Sequence, residues 1–209
     1  MKIAIEAQRI FRPNKHGMDF VALETIRELQ KRNDDNQYYI IVAPGEDRCL
    51  ENSANLSIIE VKYPTYPLWE QVGLPKVVKR LGVDLLHCTS NTAPLWCPVP
   101  LVLTLHDIIY LEPRQHSSPS LYQEMGWYYR RLVVPRILKK CKKIITVSHF
   151  ECNRIRQTLK IPTDRITAVY NGYSNHFYPQ QKIDMDIIHK YIPKKDFLFF
   201  LGNTDPKKN

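Results

Sequence analysis

Apolar positions along this chain switch between short continuous runs and helical stripes, and that alternation predicts an α/β fold with a mainly parallel sheet. Lys2–Ala7 reads as a first strand, followed by a polar loop, Gln8–Gly17. Phe20, Leu23, Ile26 and Leu29 then mark one face of a helix that runs to about Arg32. Tyr38–Ala43 and Leu56–Val61 are β-rich runs, the first closed by Pro44-Gly45. Val72, Val77, Val78 and Leu81 place a helix over Leu68–Leu81, with Gly82 as its stop. Leu85–His87 and Leu101–Leu105 are short apolar strands. A long helix is expected from about Ser118-Pro119 to Lys143, then a strand at Ile144–Val147. Ser148-His149-Phe150-Glu151 fits a capping box for a helix ending near Leu159, and Ile166–Tyr170 is a further strand. Tyr173–Lys195 shows no clear period and reads as a connection, after which Phe197–Leu201 has the pattern of a buried strand.

Composition narrows the class. The 209 residues carry 30 Lys+Arg against 21 Asp+Glu, a net charge of +9, and 44% are hydrophobic. That excludes a collagen-like or wholly disordered chain. No apolar run approaches the ~18 residues of a membrane span, and charges at Lys2 and Glu6 leave no signal-peptide core, so a soluble cytoplasmic protein is expected. Cys49, Cys88, Cys97, Cys141 and Cys152 are scattered and form no Cys-x-x-Cys pair, so reduced thiols are expected rather than a disulfide framework or a metal knuckle. The positive balance points to an anionic partner without naming it.

In an open α/β sheet, ligands bind beyond the carboxyl ends of the strands. Gly17, His87, Thr89, His106-Asp107, Ser148 and Asn171-Gly172 all follow or end predicted strands, so they share one edge. Each also has a plainer reading: Gly17 as a loop residue, Ser148 as a helix N-cap, Asn171-Gly172 as a turn. His106 reads either as a satisfied core histidine or as a donor to a phosphate or sugar hydroxyl. Arg136, Lys139, Lys140 and Lys143 fall on one stripe of the long helix, either a solvated face or a dock for an anionic membrane surface. Nucleic acid is not expected, because no aromatics interleave with the stripe. The seven glycines include no Gly-x-Gly pair, and no Gly-Lys-Ser/Thr, His-Glu-x-x-His or Gly-x-Ser-x-Gly occurs. The dinucleotide fingerprint, the P-loop, the zincin site and the nucleophile elbow are therefore missing.

An ordered set of strings carries a resemblance: MKIAIEAQR at the N-terminus, WEQVGLPKVVKRLGVDLLH (Trp69–His87), LTLHDIIYLEP (Leu103–Pro113), IITVSHFECNRI (Ile144–Ile155), RITAVYNGYSNHF (Arg165–Phe177) and FLGNTDPKKN (Phe200–Asn209). In this order the chain resembles the retaining, nucleotide-sugar-dependent glycosyltransferases of family 4. The resemblance implies one half of a GT-B architecture, with a Rossmann-like, mainly parallel sheet and helices on both faces. Residues 1–172 would form the acceptor-side domain, 173–195 the connection, and 196–209 the first strand and loop of the donor domain. Gly17 matches a glycine loop that approaches the donor phosphates, His106 matches a histidine near the transferred sugar, and Lys208, with Lys207 beside it, matches a basic residue at the donor diphosphate.

The expected partners are a nucleotide sugar and a glycan or lipid-linked acceptor. The nucleotide sugar is a co-substrate, and neither a cofactor nor a metal is expected. Where the family commonly has a second glycine, Met18-Asp19 stand here. Asp19 is a poor neighbour for a diphosphate and is read as facing an acceptor hydroxyl or pointing away; with Asp107, Ser148 and Asn171 from the strand ends, it is an acceptor-side candidate. The glutamate pair that holds the donor in the family has no counterpart in these residues, so the 209 residues alone are expected to be inactive or nearly so. A nucleotide-sugar epimerase of the same architecture, or a non-catalytic module binding glycan or anionic lipid, is the alternative.

Overall fold

A computed structural model describes residues 1–112, 121–173 and 185–192. The chain divides into two compact units, Met1–Gly172 and Tyr173–Asn209. The first holds seven strands: β1 (Lys2–Glu6), β2 (Gln37–Val42), β3 (Leu56–Glu60), β4 (Leu85–Cys88), β5 (Leu101–Thr104), β6 (Lys143–Thr146) and β7 (Ile166–Ala168). They form one sheet in the order β3-β2-β1-β4-β5-β6-β7, and every pair is parallel. This is a Rossmann-like arrangement in which the order of addition reverses between β1 and β4.

Alternate strand residues feed two cores. Ile5, Ile40 and Leu56 pack with Ala22, Leu23 and Ile26 of α1 (Gly17–Gln30). Ala4, Ile41, Leu86 and Leu103 belong to a larger cluster with α3 (Leu74–Leu81), α4 (Leu121–Lys140) and α5 (His149–Leu159). Helices thus cover both faces, and the central strands read as apolar runs because neither side meets water.

Three elements depart from expectation. The helix over Leu68–Leu81 is built in pieces: a single turn, α2 (Tyr66–Leu68), a π-turn at Trp69–Gly73, and then α3. The extra residue of the π-turn turns Trp69, Glu70 and Gly73 inward and leaves Leu68 exposed. Gly73 leaves room for the Tyr63 ring, which a Cβ would meet at 2.6 Å and displace. The Trp69 indole donates to the Val61 carbonyl (2.8 Å), fixing the turn against the end of β3.

The second departure corrects the basic stripe. α4 ends at Lys140, and Lys143 is the first residue of β6. The Lys142 N–H donates to the Leu101 carbonyl (2.7 Å) and Lys143 registers with Val102, so pairing with β5 wins over another helical turn. Arg165 closes the helix by donating to the carbonyls of Leu138 (2.7 Å) and Cys141 (2.5 Å), a favourable position for a cation. The stripe is therefore Arg136, Lys139 and Lys140, while Lys143 reaches the Asp164 carbonyl. Third, the expected connection contains a short helix, α6 (Met185–Tyr191). Ser118-Pro119 and Phe197–Leu201 lie outside the described residues.

Candidate active site

In an all-parallel sheet the carboxyl ends share one edge, and the crevice where strand order reverses is the favoured ligand position. Glu6 ends β1 and Thr89 follows β4, so the reversal point is lined by a carboxylate and a short polar segment. Glu6 is buried, and its two oxygens accept from the backbone N–H of Gln8 (3.0 Å) and of Thr89 (3.2 Å). The Thr89 hydroxyl returns the contact by donating to the Glu6 carbonyl (2.8 Å). Burial pushes the Glu6 carboxyl up to about 6, against the lowering effect of the Gln8 N–H, and the negative Glu70 nearby adds to the rise.

His106 lies just past β5 and is 9% exposed. Its Nε2 faces the Thr89 carbonyl at 3.0 Å, and its backbone N–H donates to Asn91 Oδ1 at 2.6 Å. A carbonyl can only accept, so Nε2 carries the proton and Nδ1 is the free acceptor of the neutral ring. Burial lowers the His106 pKa, although the Thr89 carbonyl and Asp107 oppose the shift, and this favours the neutral imidazole. Asn91, which holds the backbone, has φ of 67°, a left-handed conformation that asparagine tolerates better than most side chains. His87 is a half-buried residue of β4. Its Nε2 pairs with the Thr104 hydroxyl (2.8 Å), and burial pushes its pKa down to about 4.

Behind this edge lies a second buried carboxylate, Glu70, in the π-turn. Tyr66 Oη (2.6 Å) and Thr92 Oγ1 (2.5 Å) donate to its Oε1, and Tyr129 Oη and Gln71 Nε2 (2.9 Å) donate to its Oε2. Burial raises the Glu70 pKa, while these donors oppose the rise. Sequence reasoning assigned no role to Glu6, Glu70 or Asn91. The available signal was a charge on an apolar stripe: Glu70 precedes Leu74, Val77 and Val78 at helical spacing.

Gly17 is the first residue of α1, and a Cβ there would meet nothing within 4 Å, so the approach to its backbone is open. Asp19 turns inward rather than toward an acceptor. Its side chain pairs with Arg9 (3.3 Å) and Arg12 and accepts from the His16 N–H (2.8 Å). Asp107 accepts from the Ile109 N–H (3.1 Å), and Ser148 accepts from the Glu151 N–H (3.1 Å) as the N-cap of α5. Ser148 and Asn171 follow β6 and β7, away from the reversal point, and Asn171 is exposed. Lys207 and Lys208 lie outside the described residues. Among the described residues, no group of three His, Cys, Asp or Glu could hold a metal ion, and no helix is long and apolar enough to cross a membrane.

Residues 16–175 match the profile of Glycosyltransferase Family 4. The chain belongs to glycosyltransferase family 4. It is 23% identical over 138 residues to the O-antigen chain mannosyltransferase RfbU of Salmonella typhimurium, a match covering 64% of this chain and 33% of RfbU. In fold it is similar to Anabaena HepE solved with UDP, with a TM-score of 0.56 and 17% identity over 92% of this chain and 50% of HepE. HepE solved with UDP-glucose gives 0.54 and 16%, with the same coverage. This family 4 chain therefore spans about half the length of the solved relative and a third of the curated one.

Proposed function

We propose that the crevice beyond β1 and β4 serves a retaining glycosyl transfer from a nucleotide sugar to a glycan or lipid-linked acceptor in polysaccharide assembly, with residues 1–172 as the acceptor-side half. The observation that carries this reading is His106, a neutral ring on the carboxyl edge whose Nε2 is taken by the Thr89 carbonyl and whose Nδ1 is free to accept from a sugar hydroxyl. The names of RfbU and HepE favour a sugar nucleotide as donor and a polysaccharide as product. On this reading the open N-terminus of α1 at Gly17 offsets charge on the leaving diphosphate, with no metal required. The protein would work in the cytoplasm at the inner membrane surface.

The test is sugar-nucleotide-dependent transfer to lipid-linked glycan by the full-length enzyme, with and without a metal chelator. His106→Ala is expected to lower kcat at least ~10²-fold, as loss of a group acting on the transition state does, and the chelator to leave the rate unchanged. An unchanged kcat returns His106 to the core. A free epimerised sugar formed without acceptor favours the epimerase, and binding without turnover favours the glycan or lipid module. The 209 residues alone are expected to transfer little sugar, which a parallel assay checks.

One surface favours a membrane contact for the same enzyme. Met125 (69% exposed), Tyr128 (64%) and Leu132 (52%) lie three and four residues apart on α4, and the same side continues into Arg136 and Lys139. An apolar seam with a basic end suits the headgroup region of an anionic bilayer. Co-sedimentation with anionic vesicles should fall as salt rises, and a Tyr128→Glu/Leu132→Glu variant should lose it.

A further inference from the structure

Thr89–Thr92 is the segment that holds His106, and it is itself suspended from two buried carboxylates. At one end, Glu6 takes the Thr89 N–H and its carbonyl takes the Thr89 hydroxyl. At the other, the Thr92 hydroxyl donates to Glu70, which is pinned by Tyr66, Gln71 and Tyr129. Between them, the Thr89 carbonyl and the Asn91 side chain make the two bonds to His106. Thr89 is the junction, since its N–H points to Glu6 and its own carbonyl, one peptide unit further on, to the imidazole.

We propose that Glu6 is a positioning residue for His106: by holding Thr89 through its N–H it keeps the Thr89 carbonyl on Nε2 and so makes Nδ1 the accepting nitrogen of the ring. This rests on the reading that His106 meets the donor sugar. A carboxylate is the side chain this position demands. Both Glu6 oxygens face main-chain N–H groups, which only donate, so a carboxamide would set its own N–H₂ against one of them. The cost of burying an ionisable group at the carboxyl end of β1 is offset because one side chain accepts from main-chain N–H groups of two segments, at Gln8 and at Thr89.

The test reads the imidazole directly. In protein carrying ¹⁵N-labelled histidine, two-bond ¹H–¹⁵N correlations report which His106 nitrogen is protonated. The parent is expected to show the Nε2–H tautomer. Glu6→Gln is expected to raise the Nδ1–H share several-fold and to lower kcat at least ~10-fold, with KM for the sugar nucleotide changed by less than ~3-fold, as displacement of a reacting group does. An Nδ1–H tautomer in the parent, a tautomer unchanged by Glu6→Gln, or a shifted tautomer with unchanged kcat overturns the proposal. Should Glu6→Gln not fold, Glu6→Asp is read in its place, because it keeps the carboxylate and withdraws it by one methylene from the Thr89 N–H. It should move both quantities in the same direction by less, and no movement overturns the proposal. Failure of the underlying reading is separate: His106→Ala would then keep full kcat, while the tautomer in the Glu6 variant still answers for Glu6.

Discussion

Asp19 and Glu70 are both buried carboxylates, one in the first turn of α1 and one in the π-turn ahead of α3, yet their partners differ in kind. Asp19 is met by two guanidinium groups, Arg9 and Arg12, and by a main-chain N–H. Glu70 is met by three hydroxyls and a carboxamide, with no cation among its hydrogen-bond partners in the described residues. Guanidinium and main-chain N–H groups can only donate, so every partner of Asp19 requires an acceptor. Hydroxyls turn to accept as readily as they donate, so the Glu70 site tolerates a neutral occupant, in keeping with its raised pKa. One carboxylate ties down a basic loop by charge; the other organises a core by hydrogen-bond count.

The largest effect is expected from Glu70→Ala, which removes the shared acceptor of the buried Thr92 and the part-buried Tyr66, Gln71 and Tyr129 and should cost about 3 kcal/mol in urea unfolding. A loss under about 1 kcal/mol would show the hydroxyls re-pairing among themselves and remove the organising role. Asp19→Asn should follow at roughly 2 kcal/mol, reduced from a fully buried pair because Arg9 and Arg12 are about 30% exposed. Glu70→Gln should cost about 1 kcal/mol or less, since Tyr66 and Thr92 can turn to accept from the amide. If Glu70→Gln proves worse than Asp19→Asn, the contrast between the two sites is wrong.

The smallest effect concerns pH and the groups at the sheet edge, where two shifts oppose. His87 is held down to about 4, whereas the unfolded chain takes up that proton near 6.5. Its contribution is present above about 6.5 and is lost as pH falls towards 4, by at most ~1.4 kcal/mol per pH unit. Glu6 is raised to about 6 from 4.5, so its contribution is present below about 4.5 and is lost as pH rises through 6. Between pH 4.5 and 6 the two slopes largely cancel. His87→Gln removes the first slope, so unfolding free energy measured in that window should fall as pH rises; a flat response would refute the assignment.

Much of the frame was legible because it rests on local pattern. The strands fall within one or two residues of the apolar runs, since burial on both faces leaves no polar alternation to confuse their ends. The position of His106 was legible as the residue beyond a strand. Its tautomer was not, because that depends on a carbonyl 17 residues away in sequence. The end of α4 was misplaced for a similar reason: Lys139, Lys140, Lys142 and Lys143 look alike, and only the Leu101 carbonyl divides helix from strand. The inward turn of Glu70 depends on one extra residue in a helical turn, which no periodicity of 3.6 reveals.

The sequence by itself determined the alternation of strands and helices, the parallel sheet and the edge on which the candidate residues gather, because these follow from periods of two and of 3.6 and from the polar residues that interrupt them. The tertiary structure decided which of those polar residues are free and which are consumed. Asp19, Asp107 and Ser148 are taken up in pairing and capping, while Glu6 and Glu70 emerge as the anchors of the segment beside His106. The physical reason is that a buried polar group must find its partners, and partners distant in sequence meet only when the sheet brings their strand ends together.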